Sequence, residues 1–182
     1  MLRVESAPPV VTLAELKAHL RIEDEGEDAL LAGWLRAATE IVEQELGQLL
    51  IRREVTEQLL CGDRGIRLSL LPVVRIESVE VQDSEGVWQL LEAGAIRADI
   101  TADGSAWLVP EQIGSGQLFR VRYQAGIALV ANDLPEFLRQ AVIRIAAHWH
   151  AFRDSAEARH LPQAVRQMLG MMRLPRFRAV GA

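Results

Sequence analysis

An α+β fold is what this 182-residue sequence predicts, and two changes of period predict it. Near both ends, apolar residues recur at three- and four-residue steps, the period of an amphipathic helix. Between about residues 52 and 126 the period falls to two, punctuated by glycine-bearing turns, as in half-buried antiparallel strands. Composition agrees: 49% hydrophobic and 25% charged is an ordinary globular balance, and the length suffices for a sizeable core. The expected architecture is an antiparallel helical bundle with an inserted antiparallel β unit, followed by a C-terminal helix and arm.

Residues 1–11 read as a loose arm, because Pro8 and Pro9 favour extended backbone. Thr12 is a good N-cap, and Glu15, three residues on, completes a capping box. Leu13, Leu16 and Leu20 then share a face of a short helix ending near Leu20 or Arg21. Glu23-Asp24-Glu25-Gly26-Glu27-Asp28 is an acidic turn at the start of the next helix, where the macrodipole favours negative charge. The alternating oxygen ligands and distal glutamate of a calcium loop are missing from it. A long helix follows from about Glu27 to Leu46, with a stripe of Leu30, Leu31, Trp34, Leu35, Ala38, Ile41, Val42 and Leu46. Gly47 fits as its C-cap.

The strands begin after Ile51. Glu54–Leu60 and Ile66–Leu70 alternate around a Gly62-Asp63-Arg64-Gly65 turn, which reads as a hairpin stopped by Pro72. Val73–Val81 is another strand, and Val87–Leu91 pairs back on it across Asp83-Ser84-Glu85-Gly86. Weaker strands are expected near Ile96–Ile100 and Ala106–Val109, and a clear one at Gln117–Tyr123. Gly126 after that strand suits a turn with unusual dihedrals. Asp133 then reads as the cap of a helix with Pro135 in its first turn and a stripe of Leu134, Phe137, Leu138, Ala141, Val142, Ile145 and Trp149. A last helix is expected from Pro162 to about Met172, with Leu161, Val165, Met168, Leu169 and Met172 on one face. Residues 173–182 read as a basic arm with one aromatic anchor, Phe177. The expected division is an N-terminal arm (1–11), a helical hairpin (12–51), a β domain (52–126), C-terminal helices (127–172) and an arm (173–182).

Charge is unevenly spread. From Leu134 onward eight arginines face three carboxylates, a net of +5, which leaves −10 on residues 1–133. Such polarity suits head-to-tail packing of identical subunits through dissimilar surfaces. Lys17 is the only lysine. No run of 18 apolar residues exists, and the N-terminus lacks the apolar core of a signal peptide, so the chain is expected to fold in the cytosol without meeting a membrane.

Reactive constellations are not found. The single cysteine, Cys61, precludes an internal disulfide and has no base beside it in sequence. His148 and His150 lie two apart, on different sides of a helix, and do not chelate one metal from one face. Gly114-Ser115-Gly116 lacks the G-x-S-x-G frame, and phosphate- and dinucleotide-binding loops are missing. The expectation is no enzyme, no cofactor and no metal. The C-terminal arginines are the one candidate for nucleic acid, but they lack the interleaved aromatics of a single-strand stacking platform.

Several phrases resemble the head–tail connector (adaptor) proteins of long-tailed phages, prophages and gene transfer agents. They are Thr12, Leu13, Glu15, Lys17, His19, Leu20, Arg21 and Ile22, then Glu27-Asp28-Ala29-Leu30-Leu31; IRLSLLPVVRIESVEVQDSEGVW from Ile66; FRVRYQAGIA from Phe119; and LPEFLRQAVIRIAAHWHAFRD from Leu134. The resemblance covers about residues 12 to 155 and implies a structural part. That part is an adaptor ring of the particle neck, twelve-membered, with the portal protein on one side and a tail-side stopper or tail terminator on the other. DNA would pass through it without specific binding. Members of the family attach to the portal partly through their C-terminal segment. Here that suggests Met168, Met172, Arg173, Arg176, Phe177 and Arg178, with adaptable methionines, arginines facing acidic groups and Phe177 filling a pocket. The competing reading is a DNA-binding packaging accessory that sets its C-terminal arginines on phosphates.

Overall fold

The two periods of the sequence become two units. Residues 1–8 with 47–130 form one, and residues 9–46 with 131–182 the other. The computed structural model describes all residues except 7, 93, 112–115, 154, 156–159 and 171–182.

The second unit is helical: α1 (Leu13–Leu20), α2 (Asp28–Leu46), α3 (Glu136–Phe152) and α4 (Gln163–Gly170). The capping box forms as the sequence predicts. The Thr12 hydroxyl accepts from the Glu15 N–H at 3.2 Å, and the Glu15 carboxylate accepts from the Thr12 N–H at 2.8 Å. At the other end Arg21 turns left-handed (φ 59°), and Ile22 N–H reaches back to the Lys17 carbonyl at 3.0 Å, closing the last turn. The core stripe of α2 is Leu31, Leu35, Ala38, Val42 and Leu46; Leu30, expected in it, is exposed, because it sits one position off the buried face. Leu16 of α1, Leu138, Ala141, Val142, Ile145 and Ala146 of α3, and Val165 and Leu169 of α4 complete the apolar interior. The cap of α3 differs from expectation. Pro135 is the N-cap residue, and Asp133 ends a short 3-10 turn (Ala131–Asp133) instead of capping.

The first unit is β1 (Leu2–Val4), β2 (Arg53–Leu60), β3 (Ile66–Arg67), β4 (Val73–Gln82), β5 (Trp88–Leu90), β6 (Ile96–Ile100), β7 (Ala106–Pro110) and β8 (Leu118–Ala125). They make a five-stranded antiparallel sheet in the order β1-β2-β8-β4-β5 and a three-stranded one in the order β3-β7-β6. Val55, Val79, Phe119, Val121 and Tyr123 of the larger sheet share one apolar cluster with Ile66, Leu68, Ala106 and Leu108.

Two expectations change here. The β4–β5 pairing forms, but the hairpin of 54–60 with 66–70 does not: β2 pairs with β1 and β8, and β3 with β7. Gly62 and Gly65 do exchange backbone hydrogen bonds at 3.0 and 3.2 Å, so the turn is real. Past it the strands part into different sheets, each facing the same core, and alternation alone does not name a strand's partner. The N-terminal residues read as loose include an edge strand, β1, anchored by Gln58 N–H to the Met1 carbonyl (2.8 Å) and Glu5 N–H to the Glu54 carbonyl (3.0 Å). Gly126 does hold an unusual backbone angle (φ 147°), and a Cβ there would lie 2.4 Å from the Arg52 Cα.

Candidate functional site

Charged side chains at the surfaces of the two units are arranged differently, and both sets bear on what the chain contacts. In the helical unit they tie helix to helix. Arg139 of α3 contacts the Glu15 carboxylate and that of Glu136 (3.3 Å). Lys17 meets Asp28 at 2.7 Å. Glu27 accepts from Arg153 at 2.7 Å and sits 3.1 Å from the His150 ring, whose other neighbour is the edge of Trp34 at 5.9 Å between centroids. The hydrogen bonds from Arg153 and His150 hold the Glu27 carboxyl below its ordinary range, and that from the Thr12 backbone does the same for Glu15. Thr12, Glu15, Lys17, Glu27 and Asp28, residues of the connector phrases, therefore spend their polar groups inside the unit, closing α1, α2 and α3 on one another.

On the larger sheet, strand alternation sends Glu54, Thr56, Gln58, Arg120, Arg122 and Gln124 to one side and Val55, Glu57, Phe119, Val121 and Tyr123 to the other. Arg120 grips Glu80 across the β4–β8 pair with two hydrogen bonds of 2.5 and 2.6 Å, and its guanidinium lies 4.5 Å from the centre of the Trp88 ring. Glu77 accepts from Arg75 (2.9 Å) and Gln124 (3.0 Å). Arg3, Thr56 and Arg122, with Glu54, Glu80 and Arg120, line an open depression of about 290 Å³.

On the inner side one polar group breaks the apolar series. Glu57, only 4% exposed, accepts from the Tyr123 hydroxyl and the Ser69 N–H, both at 3.1 Å, while the Tyr123 oxygen accepts from Leu70 N–H at 3.3 Å. Burial and the Glu57 charge push the tyrosine well above its usual 10.0. Sequence reading missed this pair. Its signal was Glu57 standing at an inward position between Val55 and Leu59.

Of the residues singled out for partner docking, Met168 is half-buried on α4 between buried Val165 and Leu169. Met172, Arg173, Arg176, Phe177 and Arg178 lie outside the described residues. Arg139 and Arg153, counted among the C-terminal cations, are committed to Glu15, Glu136 and Glu27. His148 stacks at a tilt on Phe152, 4.8 Å between centroids. The Cys61 thiol donates to the Gly62 carbonyl at 3.5 Å, and burial raises its pKa, with the Asp63 charge adding to the effect. Both effects favour the protonated thiol. Among the described residues no group of three or more His, Cys, Asp or Glu side chains is placed to hold a metal ion, and no helix is long and apolar enough to cross a membrane.

Residues 10–71 match the family described as phage gp6-like head-tail connector protein. A comparison with curated proteins finds no match. Among solved structures, the chain resembles a component of the neck of an empty gene transfer agent (GTA) particle computed with C6 symmetry, with a TM-score of 0.79. It also resembles chains from the virion of a native GTA particle (0.76) and from the neck of a native GTA particle computed with C12 symmetry (0.75). In all three cases identity is 26%, and the match covers 97% of this chain and 96% of the other. The resemblance read from the sequence thus recurs in the family match at the N-terminus and in the fold of nearly the whole chain.

Proposed function

We propose that this chain is a structural adaptor subunit of the neck of a phage-like particle, standing in a ring of copies between head and tail. The observation that carries the reading is the match, over 97% of the chain, to chains of gene transfer agent particle structures, two of them structures of the neck computed with C6 and C12 symmetry. The polar groups described above suit that role. Most of them lock helices together or form cross-strand pairs on a sheet face. The particle neck is the location the same match supports, and a ring of twelve agrees with the larger symmetry.

The partners are finer points of the proposal. One face of the ring meets the portal, and the other a tail-side stopper or terminator. The portal contact is assigned to the C-terminal stretch with Met168, Met172, Arg173, Arg176, Phe177 and Arg178. Flexible thioethers there adapt to an irregular groove, and guanidinium groups pair with acidic partner groups. DNA traverses the ring without specific binding. The commitment of Arg139 and Arg153 to carboxylates of their own unit leaves fewer cations for phosphate.

Removing the chain from particle-producing cells tests the adaptor reading: full heads without tails are expected, and normal tailed particles in its absence would refute it. Deleting residues 173–182 tests the portal contact. The truncated chain is expected to keep its circular dichroism spectrum and lose co-purification with the portal; undiminished binding would remove those residues from the contact.

A further inference from the structure

The outer sheet face and the turn between α1 and α2 each carry exposed charged side chains that, among the described residues, make no hydrogen-bonded ion pair with their own chain, although the Arg122 charge is felt by Glu77 and Glu80. Strand register sets Arg3, Thr56 and Arg122 in one row across β1, β2 and β8. At a strand spacing of about 4.8 Å, the two arginine Cα atoms stand roughly 10 Å apart with the threonine between them. Both arginines are exposed, and among the described residues neither side chain makes an ion pair or hydrogen bond. Their row forms part of the open depression, whose other lining residues are Glu54 and the Arg120–Glu80 pair. It is a narrow cationic strip with carboxylates on both sides. A long polyanion laid across it would meet Glu54 and Glu80, whereas a short acidic turn fits between them.

The chain carries such a turn. Glu23, Asp24 and Glu25 are all exposed and touch no cation among the described residues; Asp24 accepts only from the Gly26 N–H at 3.0 Å. The Cα atoms of Glu23 and Glu25 stand at most about 7 Å apart, and two arginine side chains close the remaining difference by leaning inward. The acidic turn belongs to the helical unit and the arginine row to the β unit, so each copy offers one of each to its neighbours.

We infer that the Glu23–Glu25 turn of one copy docks on the Arg3–Thr56–Arg122 row of the next. This contact between unlike surfaces repeats from subunit to subunit and closes a ring. The inference rests on the ring reading above and adds the surfaces through which the ring is made.

Charge reversal tests it in particle-producing cells supplied with variant chains, by counting tailed particles in the electron microscope. Arg3→Glu/Arg122→Glu alone and Glu23→Arg/Glu25→Arg alone are each expected to lower the count about tenfold or more, because like charges then face each other at every contact. A chain carrying all four substitutions restores the count, and so does co-expression of the two reversed chains, which alternate around an even-numbered ring. Where a reversal lowers the melting temperature, Arg3→Gln/Arg122→Gln replaces it, with a smaller loss expected. A normal count with either reversal alone overturns the inference. So does failure of the fourfold chain to recover, which would mean that each patch meets something else, DNA phosphates included. Deletion of the whole chain separates the two readings. Tailed particles without it sink the adaptor role, while tailless heads on deletion with normal counts for the reversals sink only this contact.

Discussion

The helical unit and the β unit both carry ion pairs at the rim, and the β unit adds a polar pair in its interior. Around the helices the ion pairs are peripheral: Lys17 with Asp28, Glu15 with Arg139, and Glu27 with His150 and Arg153 all involve partly exposed side chains. In the β unit a carboxylate and a phenol meet inside the apolar cluster, at Glu57 and Tyr123. Water competes for the first set and not for the second, so similar chemistry contributes less at the rim than in the interior. The difference separates residues that fix helix orientation from residues that hold a fold together, and it orders the experiments that follow.

The largest effects belong to the apolar interiors. Phe119→Ala in the β unit is expected to cost about 3–5 kcal/mol and Leu138→Ala in the helical unit about 2–5 kcal/mol, since both side chains are fully buried and leave cavities. Urea unfolding measures the totals. Hydrogen exchange assigns them: Phe119→Ala is expected to weaken protection first in β2, β4 and β8, and Leu138→Ala first in α1, α2 and α3. Equal loss everywhere from either substitution would mean that the two units open as one.

Next comes Tyr123→Phe, expected to cost about 1–3 kcal/mol, because it strips Glu57 of a donor and Leu70 N–H of an acceptor where water does not replace them. The same substitution carries a pH signature. The tyrosine pKa is raised in the folded state, so its contribution is complete below the unfolded value of 10.0 and declines as pH climbs beyond it. Tyr123→Phe is therefore expected to flatten the alkaline limb of the β unit's stability, read from thermal melts between about pH 9 and 11. An unchanged alkaline limb would mean that the buried pair does not control it.

The same contrast explains what the sequence made legible. The capping box at Thr12 and Glu15, the α2 and α3 stripes and the β4–β5 hairpin all rest on neighbours close along the chain, so local period and turn chemistry reveal them. Pairings across long separations do not show that way. The pairing of β2 with β8 joins residues 58 to 72 positions apart, and β1 joins an edge that nothing in its own three residues announces. The connector phrases pointed to the neck fold, and the polar residues of the first of them, Thr12, Glu15, Lys17, Glu27 and Asp28, turn out to tie helices together. The arginine row is visible only once register places Arg3 beside Thr56 and Arg122, because the three are scattered along the sequence.

The smallest expected effect sharpens the comparison most. Glu27 accepts from Arg153 and lies against His150, but it remains open to water, so Glu27→Gln is expected to leave the melting temperature of the helical unit nearly unchanged at pH 7. Its imprint lies in acid. Hydrogen bonds from Arg153 first and His150 second depress the carboxyl in the folded state, so its contribution is present above the ordinary 4.5 and fades as pH falls through the depressed value. The glutamine variant is expected to lose stability less steeply than the parent below pH 4.5 in the helical unit. In the β unit the acid limb should not change, because Glu80 is depressed there by its own hydrogen bonds with Arg120. A Glu27→Gln penalty at pH 7 as large as that of Leu138→Ala would erase the distinction between rim and interior. It would make this carboxylate a pillar of the helical unit in its own right.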